Sequence, residues 1–391
     1  MVNRGVREAL DKSLTARGSL VPFAQLLARE LHLNFAHART ATDTALSLDK
    51  GHRRRLRSGC GGQVPYILRP FLIADDSTFH LDPVTGHVRL SVRSGEWIGL
   101  ELRLSDWHRS VLKTRKIKQL RVNLHHAVLV LEHEVPDPYP ARTLLALDTN
   151  ERSLDGVLIG PKGPTPVVVP YPEVAIVQHR HFVRRRYLGR KKAHDRRVGR
   201  MLGGREGRRE RARVLQRLHL ISKMLVAQAK ARRALLVLEE LSLPHGSRNR
   251  RGRAFRRRLS SWPQRKLHQQ IEYKAQEQGV PVLKVDPRYT SKTCPRCGER
   301  DTQRRKRMGR VFVCGACGWR CDRQLNAGLN ICRTALGDFR TGRMNPALGG
   351  LRLDPDALAQ DAMRLLYSPG NAGAHERSGR SGRERPGSPP R

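Results

Sequence analysis

The sequence predicts an α/β protein that also carries a smaller, mainly β domain. Three observations support this prediction. From about residue 140, apolar strand-like segments alternate with helical segments. Between residues 64 and 136, short segments rich in Val, Ile and Leu are separated by turn signals such as DPVTGH. Two CxxC pairs near the end of the α/β region predict a small metal-stabilised element within it.

The two regions that precede the α/β layer differ in their periodicity. Residues 1–60 are predicted to be helical, because apolar residues recur at helical spacing, as at Leu20, Phe23 and Leu27. Residues 64–136 are predicted to form a small β-barrel or sandwich. Its strands are expected in four segments: YILRPFLI, HVRLSVR, WIGLELRL and HHAVLVLEHEV.

The α/β layer is built around two continuous apolar segments, TLLALDTN and ALLVLEEL, which predict buried strands. DGVLIG is predicted to be a hairpin partner of the first strand. Residues 180–233 predict a long basic helical stretch, and a helix around WPQRKLHQQIEYKAQEQG leads to the strand VPVLKVD. Residues 340–391 are predicted to be a disordered, low-complexity tail, because their Gly, Ser, Arg and Pro content cannot bury enough apolar surface.

The net charge indicates the class of partner. The chain has 391 residues, a formal charge of +41 and a pI near 11.4. Such an excess predicts a polyanion such as nucleic acid, although an Arg-rich genome would account for part of it. No apolar segment approaches the ~20 residues of a membrane-spanning helix, and no signal peptide is evident. We therefore expect no membrane partner and a location in the prokaryotic cytosol or nucleoid.

The most specific motif is a pair of cysteine knuckles, CPRCG and CGACG. Four thiolates at this spacing hold one Zn²⁺ tetrahedrally at about 2.3 Å, which leaves no open position for chemistry. The glycine after each second cysteine permits a tight turn, so that backbone N–H groups can point at sulfur. Paired spacing within an odd total of seven cysteines favours a metal site over disulfides. The predicted ligands of this structural zinc are Cys294, Cys297, Cys314 and Cys317.

Three acids form a second constellation. Asp148 and Glu239 end apolar strands, and Asp322 opens the helix that follows the knuckles. Carboxylates at the ends of buried strands are unfavourable unless a cation meets them, and two Mg²⁺ ions would do so while activating water for phosphodiester hydrolysis. The alternative is that such acids cap helices or pair with arginines. Rival acids with similar flanks are Asp155, Glu240 and Asp286, the last of which precedes a proline and can instead hold a turn.

Basic runs flank the strands that bear the acids, at residues 184–233 and 248–258. A charge run is usually only a solvated face, but this placement suits a groove that binds phosphates without reading sequence. Tyr187, Phe255 and Trp262 are candidates for stacking on bases, although each is more often a core residue.

Five segments occur in the order found in a known family. They are LALDTNERSLDGV, LLVLEELSL, VLKVDPRYTSKTCPRCG, VFVCGACGW and DRQLNAGLNI. Over residues 144–331 they resemble the transposon-encoded TnpB (OrfB) family of RNA-guided nucleases, which is related to type V CRISPR effectors. The β region at 64–136 matches the wedge domain of this family by position and strand character.

The resemblance implies a split RNase H-like (RuvC) nuclease domain, formed by residues 140–293 and 320–335, with a zinc ribbon at 294–319 between them. It makes Asp148 and Glu239 the first two catalytic acids. It also implies a guide RNA, a complementary double-stranded DNA target and cleavage with Mg²⁺, so that base pairing reads the sequence.

Two departures from the family pattern concern the third acid and the N-terminus. Many members carry an aspartate where Gln324 stands, whereas Asp322 matches an earlier aspartate that some relatives have. If the helix begins near Cys321, positions 322 and 324 lie about 200° apart around its axis. Asp322 would then need a shifted helix start or a bent first turn to reach the metal. The chain also opens with helices where the family usually has a wedge strand, which indicates a divergent or truncated N-terminus.

We therefore expect an RNA-guided, Mg²⁺-dependent DNA endonuclease in which Asp148, Glu239 and Asp322 are the catalytic residues and the ligands of two Mg²⁺ ions. The alternative is a cleavage-deficient, RNA-guided DNA-binding regulator, because Gln324 replaces a common catalytic aspartate. A third possibility is an inactive transposon remnant.

Overall fold

The computed structural model describes residues 1–93, 95–161, 163–240, 252, 257, 260–300 and 311–336. The chain divides into two units, Met1–Glu134 and Val135–Arg391. The predicted tail at 340–391 and most of the basic run at 248–258 lie outside the described residues. None of the helices in the described ranges is long and apolar enough to span a membrane.

The first unit begins with three α-helices, α1 (Val2–Asp11), α2 (Val21–Glu30) and α3 (Phe35–Arg57). Asn34 starts α3, because its side chain accepts a hydrogen bond from the backbone N–H of Ala36 at 3.0 Å. Of the predicted apolar stripe, Leu20 and Leu27 are buried. The helices therefore bury a narrower stripe than the spacing of apolar residues indicates, since Leu26, Leu31 and Phe35, which continue that spacing, are exposed.

Two three-stranded antiparallel sheets complete this unit. The strands are β1 (Phe71–Asp75), β2 (Phe79–Leu81), β3 (His87–Arg93), β4 (Glu96–Glu101), β5 (Lys116–Asn123) and β6 (Ala127–Glu132). The sheet orders are β1-β5-β6 and β2-β3-β4, and residues from both sheets, such as Leu120 and Val88, share one core. Helix α4 (Asp106–Thr114), which the sequence reading missed, adds Leu112 to that core.

The second unit is built on a five-stranded mixed sheet with the order β11-β10-β7-β8-β9. Its strands are β7 (Thr143–Thr149), β8 (Ser153–Gly160), β9 (Gly163–Pro170), β10 (Ala234–Glu239) and β11 (Val282–Val285). Strands β7, β8 and β9 form an antiparallel meander, which confirms DGVLIG as a hairpin partner. Strands β10 and β11 run parallel to β7 and to each other.

Helices α5 (Pro172–His194), α6 (Gly204–Ala231) and α7 (Gln264–Glu277) cover one face of this sheet. The basic stretch between β9 and β10 is therefore two long helices, which are joined through a short helix, Arg196–Val198, and a π-helical turn, Gly199–Gly203. Leu218 and Leu225 of α6 pack with Leu147 of β7 in the core beneath.

The opposite face is covered by helix α8 (Arg323–Leu336), which follows the short hairpin strands β12 (Val311–Val313) and β13 (Arg320–Asp322). Two glycines allow this helix to approach the sheet closely. A Cβ atom on Gly328 would lie 2.6 Å from the Cα of Gly156, and one on Gly156 would lie 1.9 Å from the carbonyl oxygen of Ala146. A larger residue at Gly328 would push α8 away from the sheet, and one at Gly156 would clash with the backbone of β7.

Candidate metal centre and nucleic-acid groove

Asp148 and Glu239 lie at the same edge of the sheet because they end two adjacent parallel strands, β7 and β10. Side chains alternate along a strand, so Asp148 shares a face with Ala146 and Glu239 shares a face with Val237. Ala146 and Val237 both belong to the core that packs against α8. The two acids therefore project on the face that α8 covers.

The two carboxyl groups are hydrogen-bonded to each other. Burial, followed by the charge of Asp148, raises the pKa of Glu239 to about 8. Burial also raises the pKa of Asp148, while the hydrogen bond from Glu239 opposes that rise. Because the pKa values of both carboxyl groups are raised, the pair is expected to share a proton at neutral pH. A divalent cation could replace that proton, because hard cations bind carboxylate oxygens and remove the repulsion between two ionised acids.

Asp322 occupies a different position from the one the sequence reading assumed. Helix α8 begins at Arg323 rather than near Cys321, and Asp322 is the residue before it. Its Oδ1 atom accepts hydrogen bonds from the backbone N–H groups of Gln324 at 2.8 Å and Leu325 at 3.3 Å, so its carboxylate caps the helix. Capping was the alternative role left open for these acids.

Among the residues that the structure describes, the four cysteines alone place three or more Cys, His, Asp or Glu ligand atoms within 4.8 Å of one another. Asp322 thus does not form such a trio with Asp148 and Glu239. The structure brings the first two predicted acids together, and the assignment of all three as catalytic residues stays a prediction.

The rival acids have distinct environments. Asp155 lies opposite Asp148 on β8, is buried, and accepts hydrogen bonds from Asn150 at 3.0 Å and Ser153 at 2.7 Å. Asp286 accepts a hydrogen bond from the backbone N–H of Arg288 at 2.9 Å, which confirms its role in a turn. The third rival, Glu240, is exposed and lines a cavity of about 270 Å³ together with Glu239.

The four cysteine sulfurs converge as the knuckle motif predicts. The Sγ atoms of Cys294 and Cys317 are 3.6 Å apart, and those of Cys297 and Cys314 are 3.5 Å apart. A tetrahedral zinc ion with Zn–S bonds of about 2.3 Å would hold its sulfurs about 3.8 Å apart, so the group fits zinc and is too widely spaced for disulfides.

The knuckle backbone is also arranged for thiolates. Gly298 and Gly318 have φ values of +78° and +70°, which residues with a Cβ rarely adopt. Burial opposes ionisation of Cys314, but backbone N–H groups of Cys317 and Ala316 that point at its sulfur lower the pKa of this thiol to about 7. The predicted function of these glycines, to direct backbone N–H groups at sulfur, is consistent with this geometry.

A groove of about 1060 Å³ begins beside the acid pair. Residues 150–153, which directly follow the end of β7, line it together with Gln324. Position 324 thus borders the groove, whereas the carboxylate of Asp322 is held by the backbone of α8. The groove also contains several cationic side chains, namely Arg152, Arg180, Arg185 and Arg257.

Aromatic residues near the groove differ from those the sequence reading selected. Phe182 lines the groove, and the guanidinium of Arg257 lies 3.6 Å from its ring centroid. Tyr187 is exposed, Trp262 is half-buried and hydrogen-bonded to Tyr171, and Phe255 lies outside the described residues. Phe182 was missed, although its position within the basic run HRHFVRRR is the signal that could have identified it.

Three further residues were also missed. Thr290 donates a hydrogen bond from Oγ1 to Oε1 of Glu239 at 2.9 Å. The side chains of Asn326 and Asn330 donate to the backbone carbonyl of Thr290, at 3.4 Å and 2.8 Å. The signal that could have identified them is the polar residues of the segments YTSKTC and LNAGLN, which flank the cysteine knuckles.

Comparison with known proteins is consistent with this architecture. A family model described as "Cas12f1-like, TNB domain" matches residues 265–331. A TnpB-like protein of Methanocaldococcus jannaschii is 24% identical over 265 residues, which cover 65% of this chain and 93% of that protein. The CRISPR-associated endodeoxyribonuclease Cas12f1 of Sulfoacidibacillus thermotolerans is 43% identical over 74 residues, which cover 19% of this chain and 17% of that protein.

A solved structure of a Cas12f1–sgRNA–target DNA complex has the same fold, with a TM-score of 0.56 and 16% identity over 84% of this chain and 79% of that chain. The mixed α/β fold with its four-cysteine cluster is thus accompanied by similarity to two related groups of proteins. The chain is similar to TnpB-like proteins and, over a shorter segment, to the type V effector Cas12f1.

Proposed function

We propose that the chain is an RNA-guided, Mg²⁺-dependent DNA endonuclease in which Asp148 and Glu239 hold the catalytic metal. The observation that carries this proposal is the buried pair of carboxyl groups, which share a proton at the ends of two adjacent parallel strands. Burying two acids together is unfavourable without a cation, and such pairs are typical of functional sites. When bound, Mg²⁺ would activate a water and stabilise the leaving oxygen of a phosphodiester.

The sheet supports a nuclease assignment for the second unit. Numbered from β7, the strand order is 3-2-1-4-5 with the second strand antiparallel, which is the order expected of an RNase H-like sheet. We propose that residues 140–293 and 320–335 form a RuvC-like domain and that the zinc ribbon at 294–319 is inserted in it. The helical and β regions, 1–60 and 64–136, would then correspond to the wedge-containing part of the protein.

The groove supports nucleic acid as the partner. Its arginines can contact phosphates of any sequence, and the half-buried aromatic ring of Phe182 lines the same groove, where a base could stack. The similar Cas12f1 structure contains an sgRNA and target DNA, and we propose the same two partner classes here. The proposed location is the prokaryotic cytosol, where the paired cysteines remain reduced.

One purified complex tests the endonuclease proposal. RNA that copurifies with the full chain is sequenced, and a plasmid library with a complementary segment and randomised flanks is incubated with Mg²⁺. We expect the wild type to cleave a subset of the library, and Glu239→Gln to reduce cleavage by about 10²-fold or more, as removal of a key electrostatic group does.

Glu240→Gln is the matched control, because it neutralises the adjacent acid, which is exposed, and it should keep wild-type cleavage. Equal cleavage by the wild type and Glu239→Gln would overturn the metal-site assignment. Absence of any discrete RNA from the purified protein would overturn the guided function.

A second candidate function, guided DNA binding without cleavage, is supported by Gln324. This neutral residue borders the groove at a position where many TnpB proteins carry an aspartate, and Asp322 is engaged as a helix cap. If this candidate is correct, the wild type will bind its target without cutting it, and Gln324→Asp will introduce cleavage. The exposed neighbour gives the control Arg323→Asp, which should not.

A further inference from the structure

The turn between β11 and the zinc ribbon contacts both candidate metal centres. This turn, residues 287–293, leads directly into the zinc ligand Cys294. At its middle, the hydroxyl of Thr290 donates to Oε1 of Glu239 at 2.9 Å, and both residues are buried, with 6% and 5% of their surfaces exposed. The link from one centre to the other therefore runs through four residues of chain.

Helix α8 holds this turn by its backbone. Asn330, which is 5% exposed, donates from Nδ2 to the carbonyl oxygens of Thr290 at 2.8 Å and Thr293 at 2.7 Å. Asn326, one helical turn earlier and fully buried, donates to the same two oxygens at 3.4 Å and 3.0 Å. One turn later, Arg333 donates to the carbonyl of Cys294 at 3.3 Å. A single face of α8 thus fixes the turn from Thr290 to the first zinc ligand.

These contacts constrain the peptide that bears Thr290. Two asparagines at the same pair of carbonyl groups restrict both the position and the rotation of the peptide that bears Thr290. The hydroxyl of Thr290 also lies 3.1 Å from the carbonyl oxygen of Pro287. Once a cation replaces the proton of the acid pair, the carboxylate of Glu239 is the stronger of the two acceptors. The side chain is therefore placed to orient one oxygen of Glu239 and leave the other for a cation.

We propose that Thr290 is a positioning residue for Glu239, and that the turn 287–293 couples the zinc ribbon to the acid pair. This inference rests on the proposed metal-binding function of Asp148 and Glu239. Zinc in the ribbon fixes Cys294, the asparagines of α8 fix the turn, and Thr290 fixes the carboxylate. An intact zinc ribbon is therefore required for tight Mg²⁺ binding at Asp148 and Glu239.

The test compares Thr290→Val, which keeps the shape and removes the hydroxyl, with Thr290→Ser, which keeps the hydroxyl and removes a methyl group. Mn²⁺ binding by the full chain with its copurified RNA is measured by electron paramagnetic resonance. We expect Thr290→Val to weaken Mn²⁺ binding about tenfold or more, as loss of a hydrogen bond to a metal ligand does, and Thr290→Ser to stay within about twofold.

A second measurement excludes damage to the ribbon. Co²⁺ replaces zinc, and its thiolate absorption should be the same in the wild type and in Thr290→Val. Asn330→Leu, which removes the clamp on the turn, should also weaken Mn²⁺ binding while the cobalt signal persists. An amide-to-leucine change at an exposed position of α7, Gln276→Leu, is the control and should change neither signal.

The outcomes separate this inference from the proposed nuclease function. Wild-type Mn²⁺ binding that Glu239→Gln abolishes, without DNA cleavage, would contradict the nuclease and leave the positioning role in place. Cleavage and Mn²⁺ binding by Thr290→Val at wild-type levels would overturn the positioning role alone. Equal losses in Thr290→Val and Thr290→Ser would also overturn it, because packing rather than the hydroxyl would then be responsible.

Discussion

The four-cysteine cluster and the acid pair differ in how the chain assembles them. The cysteines come from two knuckles whose turns are set locally by Gly298 and Gly318. The acids come from strands about 90 residues apart in sequence, and they meet only because β7 and β10 pair in parallel. The cysteine site supplies four soft ligands and is closed to substrate, whereas the acid pair supplies two hard ligands beside an open groove.

This difference implies two kinds of metal dependence. Zinc at the cysteine cluster would complete the local fold of the ribbon, so its binding free energy would also be folding free energy. A divalent cation at the acid pair would instead offset an unfavourable term of the folded sheet, because burial and the charge of Asp148 raise the pKa of Glu239. We therefore expect zinc to determine whether the ribbon folds. We expect the divalent cation to determine whether the two carboxyl groups of an already folded site are ionised.

The largest expected effect is on the cysteine cluster. Cys314→Ser removes a thiol whose pKa is lowered to about 7 and leaves three ligands, so zinc content should fall and the ribbon should lose its fold. Zinc per chain and protection of residues 290–300 and 311–322 from hydrogen exchange measure the result. Cys60→Ser alters an exposed cysteine elsewhere and should change neither value. Retention of zinc and protection by Cys314→Ser would contradict the four-ligand site.

The second effect is a pH dependence of the metal-free protein. A group whose pKa is raised on folding stabilises the folded state below its unfolded pKa, about 4.3 for glutamate, and this stabilisation is lost as pH rises through the folded value of about 8. The free energy of unfolding should therefore decrease by roughly 3 to 5 kcal/mol from pH 5 to pH 9 through this group. Urea unfolding at several pH values measures it.

Glu239→Gln is the comparison for that series, since an amide does not titrate and the decrease should shrink accordingly. Mg²⁺ should stabilise the wild type more at pH 8.5 than at pH 6, because fewer protons remain to be displaced. The same pH dependence in Glu239→Gln as in the wild type would show that the acid pair does not share a proton in solution.

The smallest expected effect separates capping from metal binding at Asp322. Asn caps helices about as well as Asp, so Asp322→Asn should retain stability and Asp322→Ala should lose about 1 kcal/mol. If capping is the whole role, Asp322→Asn should change cleavage less than about twofold, within the range of a stability-neutral change. A large loss of cleavage in Asp322→Asn at unchanged stability would restore Asp322 as a metal ligand, as the sequence predicts.

Sequence patterns predicted the elements whose signals are local or strongly apolar. The continuous apolar segments gave β7 and β10, and the Cys and Gly spacing gave the ribbon. Strand β9 was not predicted because prolines interrupt its sequence, GPTPVVVP, and leave only three consecutive valines of typical strand character. Prolines are tolerated there because β9 is the edge strand of the sheet, where a missing N–H group costs no ladder hydrogen bond.

The role of Asp322 could not be read from its neighbours. Its carboxylate caps α8 because β13 pairs with β12 through Asp322 itself, opposite Val311, and so delays the start of the helix to Arg323. Helix α4 was missed for a related reason. It is started by a capping box between Ser105 and His108, and histidine is not the usual third-position partner.

The contact between Gly156 and Gly328 sets the height of α8 above the sheet. A Cβ atom added to Gly328 would lie 2.6 Å from the Cα atom of Gly156, whereas carbon atoms in ordinary contact lie about 3.5–4.0 Å apart. A side chain at Gly328 would therefore lift the helix by about an ångström. Gln324, Asn326 and Asn330 are carried on that helix and would all shift with it. The close contact between Gly156 and Gly328 therefore sets the distance between the sheet and the side chains that α8 contributes to the site.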